Sequence, residues 1–135
     1  RYGMPGTPRW PHRLTTDKGY ELTEFPLTTL KLAGYTLPIA GGGYFRLYPY
    51  GFSRWGLARA NRERRPFIFY LHPWEIDPDQ PRFNVSRFSK FRHYNNLDKC
   101  EARLKKLVND FNFTTVANVL EMQPSAGACP ARDNP

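Results

Sequence analysis

The groups best suited to chemistry in this chain sit together in the stretch Pro66 to Asp77, PFIFYLHPWEID. His72 brings an imidazole, which can both hold and release a proton near neutrality. Glu75, three residues on, is a carboxylate able to orient that imidazole or to accept a hydroxyl. Trp74 offers a ring face of the kind that packs on the apolar C–H side of a sugar while polar groups hold its hydroxyls. Set together at the end of an apolar run, these residues read as the edge of an active site. A plainer reading of the same residues is a half-buried histidine closing a strand, a tryptophan used for its bulk and a glutamate paired with a nearby arginine.

Positioning such a set falls to the elements around it. Phe67 to Leu71 carry no charge and read as a strand buried on both faces, as in a parallel sheet or barrel, with His72 at its carboxyl end facing a cleft. That end is where α/β folds converge side chains on ligands, and Pro73 stops the strand there. Upstream, residues 1 to 19 read as an irregular covering loop. Leu22 to Leu32 and Tyr35 to Ile39 read as two short strands joined across Gly34. Gly41, Gly42 and Gly43 form either a sharp strand-to-helix turn or a binding loop, without the spacing of a phosphate cradle. Helices are expected over Pro49 to Arg62 and over Leu97 to Phe111, the second capped by Asn95 or Asn96 and carrying a Glu101–Lys105 surface pair. Between them, Asp77 to Phe91 reads as an extended excursion. Arg87, Lys90, Arg92 and His93 there could meet an anionic or polyhydroxy substrate or form a solvated surface. The order of elements points to an α/β architecture.

Composition narrows the function classes. With 135 residues and 40% hydrophobic content the chain can bury one core, and with Arg at position 1 it reads as a processed product or as part of a longer protein. No leader-like segment opens it, and no apolar run approaches the ~20 residues a membrane span needs. The net charge of +8 and the 16% aromatic content invite a nucleic-acid reading. The densest cations, Arg54 to Arg65, however, fall on and just after a helix, and no nucleic-acid-binding signature accompanies them. Cys100 and Cys129 do not form a disulfide framework, so a cytoplasmic setting is expected. His12, His72 and His93 lack the spacing of a metal site.

Three segments in order, Gly41 to Tyr50 (GGGYFRLYPY), Arg65 to Arg82 (RPFIFYLHPWEIDPDQPR) and Phe91 to Phe113 (FRHYNNLDKCEARLKKLVNDFNF), resemble the C-terminal part of polysaccharide deacetylases of the NodB-homology type, carbohydrate esterase family 4. They are most similar to the subgroup associated with exosortase and exopolysaccharide gene clusters, which carries a C-terminal extension. The opening RYGMPGTPRWPHR also resembles a loop of that subgroup.

The resemblance implies the C-terminal portion of a deformed (β/α) barrel over residues 1–122, with a helical extension and a disordered tail over 123–135. It implies a hydrolase acting on carbon–nitrogen bonds other than peptide bonds, which removes N-acetyl groups from amino sugars of a polysaccharide with a divalent metal, typically zinc. His72 matches the histidine that protonates the departing amine. Tyr44, Arg46, Trp74 and Glu75 are the residues expected near the sugar. The family pattern is Leu-x-His, and Tyr70 stands at the leucine position. The family's aspartate pair and HxxxH metal ligands have no counterpart in this sequence, so no metal ligand is assigned here and the chain alone is expected to be inactive. A non-catalytic carbohydrate-binding or interaction module using the same aromatic and basic surface is the alternative.

Overall fold

The computed structural model describes residues 7–122. Two antiparallel hairpins come first. β1 (His12–Thr15) pairs with β2 (Glu21–Glu24), and β3 (Thr29–Leu32) pairs with β4 (Tyr35–Pro38). The expected irregular segment 1 to 19 therefore contains a strand. The second hairpin turns on Ala33 and Gly34, both at positive φ (47° and 80°), the signature of a two-residue primed turn whose twist matches the strands it joins.

Five helices follow: α1 (Gly42–Leu47), α2 (Tyr50–Arg62), α3 (Arg87–Tyr94), α4 (Leu97–Asp110) and α5 (Val116–Met122). Pro49 stands at the N-cap of α2, where a missing N–H costs nothing, and α4 runs within a residue of its expected limits. The glycine run is a strand-to-helix turn, with Gly41 before α1 and Gly42 as its first residue. The core joins Leu30 and Ile39 to Phe45 of α1, Leu57 of α2, and Cys100 and Leu107 of α4. At its edge Asp110 of α4 accepts hydrogen bonds from Tyr50 (2.7 Å) and Arg54 (2.8 Å), joining α4 to α2.

The segment after Pro66 corrects the expectation of a strand buried on both faces. It runs extended, but among the described residues its only ladder contact is a parallel bridge between Tyr70 and Gly41. Tyr70 N–H donates to Ala40 O (2.9 Å) and Gly42 N–H to Tyr70 O (3.1 Å), after which α1 curls its side of the pair away. Two residues earlier a side chain replaces the ladder: Ile68 N–H donates to Thr28 Oγ1 (2.9 Å), and that hydroxyl donates to Ile68 O (3.2 Å). Phe67, Phe69 and Leu71 pack on the core at alternate positions, whereas Tyr70 is exposed, so one face is buried. Among the described residues no sheet exceeds two strands and no barrel closes, so the fold is mixed α/β built from helices and small antiparallel sheets.

Candidate functional site

His72 ends the extended segment, and Pro73–Ile76 follows as a 3₁₀ turn begun by proline, whose fixed φ suits a first helical position. Glu75 N–H donates to His72 O (2.9 Å), while the Glu75 carboxylate reaches back to His72. Its Oε2 accepts from the His72 backbone N–H (3.0 Å) and lies 3.3 Å from His72 Nδ1. A carboxylate accepts only, so Nδ1 carries the proton of this contact and Nε2 is left as the ring's outward group. The His72 side chain is 57% exposed, and the carboxylate that holds it is 2% exposed.

Glu75 is in turn held by Arg46, itself only 1% exposed. Arg46 Nε and Nη2 donate to Glu75 Oε1 at 3.3 and 3.2 Å. The other guanidinium protons go to backbone carbonyls at the junction of α3 and α4: Nη1 to His93 O and Asn95 O (2.9 Å each) and Nη2 to Arg92 O (3.4 Å). Every N–H of the buried guanidinium thus has a partner, and all four hydrogen bonds to Glu75 come from Arg46 and His72. Gly42 leaves room for this carboxylate, since a Cβ there would lie 2.0 Å from Glu75 Oε2. Arg46 is placed from α1, whose last carbonyls are covered by Arg103 Nη1 from α4, within 3.0 to 3.2 Å of Phe45, Arg46 and Tyr48 O.

Aromatic rings continue from His72. Trp74 lies near-parallel to it at 5.8 Å between centroids, and His93 stacks on Trp74 at 4.3 Å and 10°. Arg46 also approaches the Trp74 ring, at 5.1 Å from its centroid. Gln80 braces this stack, accepting at 3.0 Å from His93 Nε2 through Oε1 and donating to Trp74 O at 2.7 Å. Tyr70 meets the His72 ring edge-on at 5.8 Å.

His72, Trp74, Glu75 and Arg46 are therefore one cluster, although Arg46 and Glu75 lie beneath the surface and act on it through His72 and Trp74. Tyr44 packs on Tyr48, one helical turn along α1. Tyr70, Gln80 and His93 also belong to the cluster; in the sequence Tyr70 marks the leucine position of the family pattern and His93 is grouped with cations that could meet a substrate or form a solvated surface, while Gln80 carries no signal. The signal that could have placed His93 in the cluster is its position beside Tyr94 in a run of aromatic and basic residues. Asn96 does not cap α4 through its side chain. It adopts a left-handed conformation (φ 51°), and its amide donates to Arg46 O at 2.8 Å. Among the described residues no three His, Cys, Asp or Glu side chains converge to hold a metal ion, so the residues present do not fit a metal centre.

One family matches almost the whole described chain, a domain of unknown function, DUF3473, over residues 1–121. The chain belongs to the DUF3473 family. Such domains are found at the C-terminus of polysaccharide deacetylases. Neither curated proteins nor solved structures show a match to this DUF3473 chain. The His72–Glu75–Arg46 relay lies wholly within the matched residues.

Proposed function

We propose that this DUF3473 chain is the C-terminal part of a metal-dependent polysaccharide N-deacetylase and that His72 is its general acid. The observation that carries the reading is the relay itself: an exposed imidazole, its Nδ1 bound to a buried carboxylate that a buried arginine holds in place. Glu75 orients the ring through the contact at Nδ1, which directs Nε2 and the proton it gives outward. When the C–N bond of an N-acetyl group breaks after water adds to its carbonyl, the departing nitrogen takes that proton and leaves as an amine. Arg46 and Glu75 are positioning residues in this scheme. Trp74 and Tyr70, both 5.8 Å from the His72 ring between centroids, are the aromatic rings beside the acid.

The divalent metal that the deacetylase reading requires, typically zinc, belongs to residues other than those described here, and His72 is not one of its ligands. The test is acetate release from an N-acetylated oligosaccharide by the intact protein and by its His72→Asn variant. The expected result is a loss of roughly 10²–10⁴ in rate with metal content unchanged. Loss of metal together with activity would assign His72 a different role. Oligosaccharide binding with no acetate release by the wild type would favour the non-catalytic carbohydrate-binding reading.

A further inference from the structure

The ring stack that starts at His72 ends beside a groove. Tyr94 meets His93 edge-on at 4.6 Å, and beyond it lies a groove of about 360 Å³ lined by Arg82, Phe83, Asn84, Lys90 and Tyr94. That volume lies within the ~300–1,000 Å³ typical of small-molecule sites. Two cations, two aromatic rings and one amide line it, with no acid among them.

The lining is held in place before any ligand arrives. Arg82 lies over the Tyr94 ring at 4.3 Å and donates to Pro78 O at 3.0 Å. Phe83 N–H donates to Tyr94 Oη at 2.9 Å, and Lys90 Nζ reaches Asn84 Oδ1 at 3.5 Å. Phe83 nevertheless remains 63% exposed. Ordered cations beside an open aromatic face lower the entropic cost of binding a rigid anionic ring.

We infer that this groove is a subsite for a carboxylate-bearing sugar, so that the polymer handled by the protein carries uronic acid residues. Arg82 and Lys90 meet the carboxylate, Phe83 packs on the C–H face of the ring and Asn84 meets a hydroxyl. Three ring-to-ring steps of 5.8, 4.3 and 4.6 Å link His72 to Tyr94, so the two lie within the length of a short oligosaccharide. The inference deepens the deacetylase reading and rests on it for the polymer, while the groove can be probed without any turnover.

The experiment is calorimetric titration of the intact protein with tetragalacturonate and, separately, with chitin tetramer. Tetragalacturonate is expected to bind at least about tenfold more tightly, a preference that Arg82→Gln with Lys90→Gln abolishes and His72→Ala leaves in place. Both substituted side chains are exposed, and an unchanged thermal midpoint would show that the fold survives the double change. Equal affinity for the two tetramers would overturn the inference, as would a preference that survives the double variant. Full displacement by an equal concentration of inorganic phosphate would also overturn it, showing a site that reads any anion, and so would binding to anionic lipid vesicles but not to tetragalacturonate. Retained binding with no acetate release would count against the deacetylase reading alone.

Discussion

At the scale of single residues, the site depends on one buried charge pair. Glu75 and Arg46 are each almost completely buried, and each supplies what the other lacks: the carboxylate accepts hydrogen bonds from the guanidinium, whose remaining N–H groups go to backbone carbonyls. Removing one partner leaves a buried charge without compensation, at about 3–5 kcal/mol. Glu75→Gln is therefore expected to lower the unfolding free energy by about that amount and to weaken catalysis in the molecules that stay folded. Trp74→Phe keeps an aromatic ring in the stack, and its expected cost is under about 1.5 kcal/mol. Denaturant midpoints of the two variants check the contrast, and similar values for both would mean that the pair does not carry the load assigned to it. The sequence makes the chemical types at positions 72, 74 and 75 legible. It does not make Arg46 legible as their anchor, because the two halves of the pair lie 29 positions apart and nothing local marks an arginine on a short helix as buried.

At the scale of elements, the glycines before and within α1 are expected to differ sharply from one another. A Cβ at Gly42 would lie 2.0 Å from an oxygen of a carboxylate fixed by four hydrogen bonds, two on each oxygen, so Gly42→Ala is expected to cost about 1–3 kcal/mol. Gly43 faces open space, and Gly43→Ala should be neutral or stabilise by up to about 1 kcal/mol through helix propensity. Thermal unfolding of both variants distinguishes this from a uniform requirement for backbone flexibility, which would make the two losses alike. In the β3–β4 turn, Ala33 holds a left-handed conformation that asparagine adopts more easily. Ala33→Asn should raise stability by several tenths of a kcal/mol, and a lower midpoint would contradict the turn assignment. Periodicity and proline placement made α2 and α4 legible almost residue by residue. The strand expected after Pro66 fails for a reason outside its own sequence: α1 removes its neighbour after one bridge, and the Thr28 hydroxyl takes the next pair of backbone groups. Helix α3 is not legible in the sequence, because none of its residues is buried and no apolar stripe faces the core.

At the scale of the whole molecule, the core and the site share a boundary. Cys100 is fully buried in α4, and burial, with the Glu75 carboxylate nearby, pushes its thiol up to about 11 from an ordinary value near 9. A folded-state value raised above the unfolded one contributes stability that is complete below the ordinary thiol range and is lost as pH rises from about 9 to about 11. Alkylation of Cys100 in the native protein at pH 8 should therefore follow global unfolding, and fast labelling under native conditions would contradict a closed core. The same interior fixes α1 against the 3₁₀ turn, so the direction of the His72 ring is a property of the fold and not of a loop. The central claim is that His72 gives a proton to the leaving group, and the dependence of its loss on that group tests it most directly. In the intact protein, His72→Asn should slow hydrolysis of an N-acetylated sugar by roughly 10²–10⁴. Hydrolysis of an activated aryl acetate, whose phenolate leaves without help, should slow less than about tenfold. Equal losses on the two substrates would contradict the account.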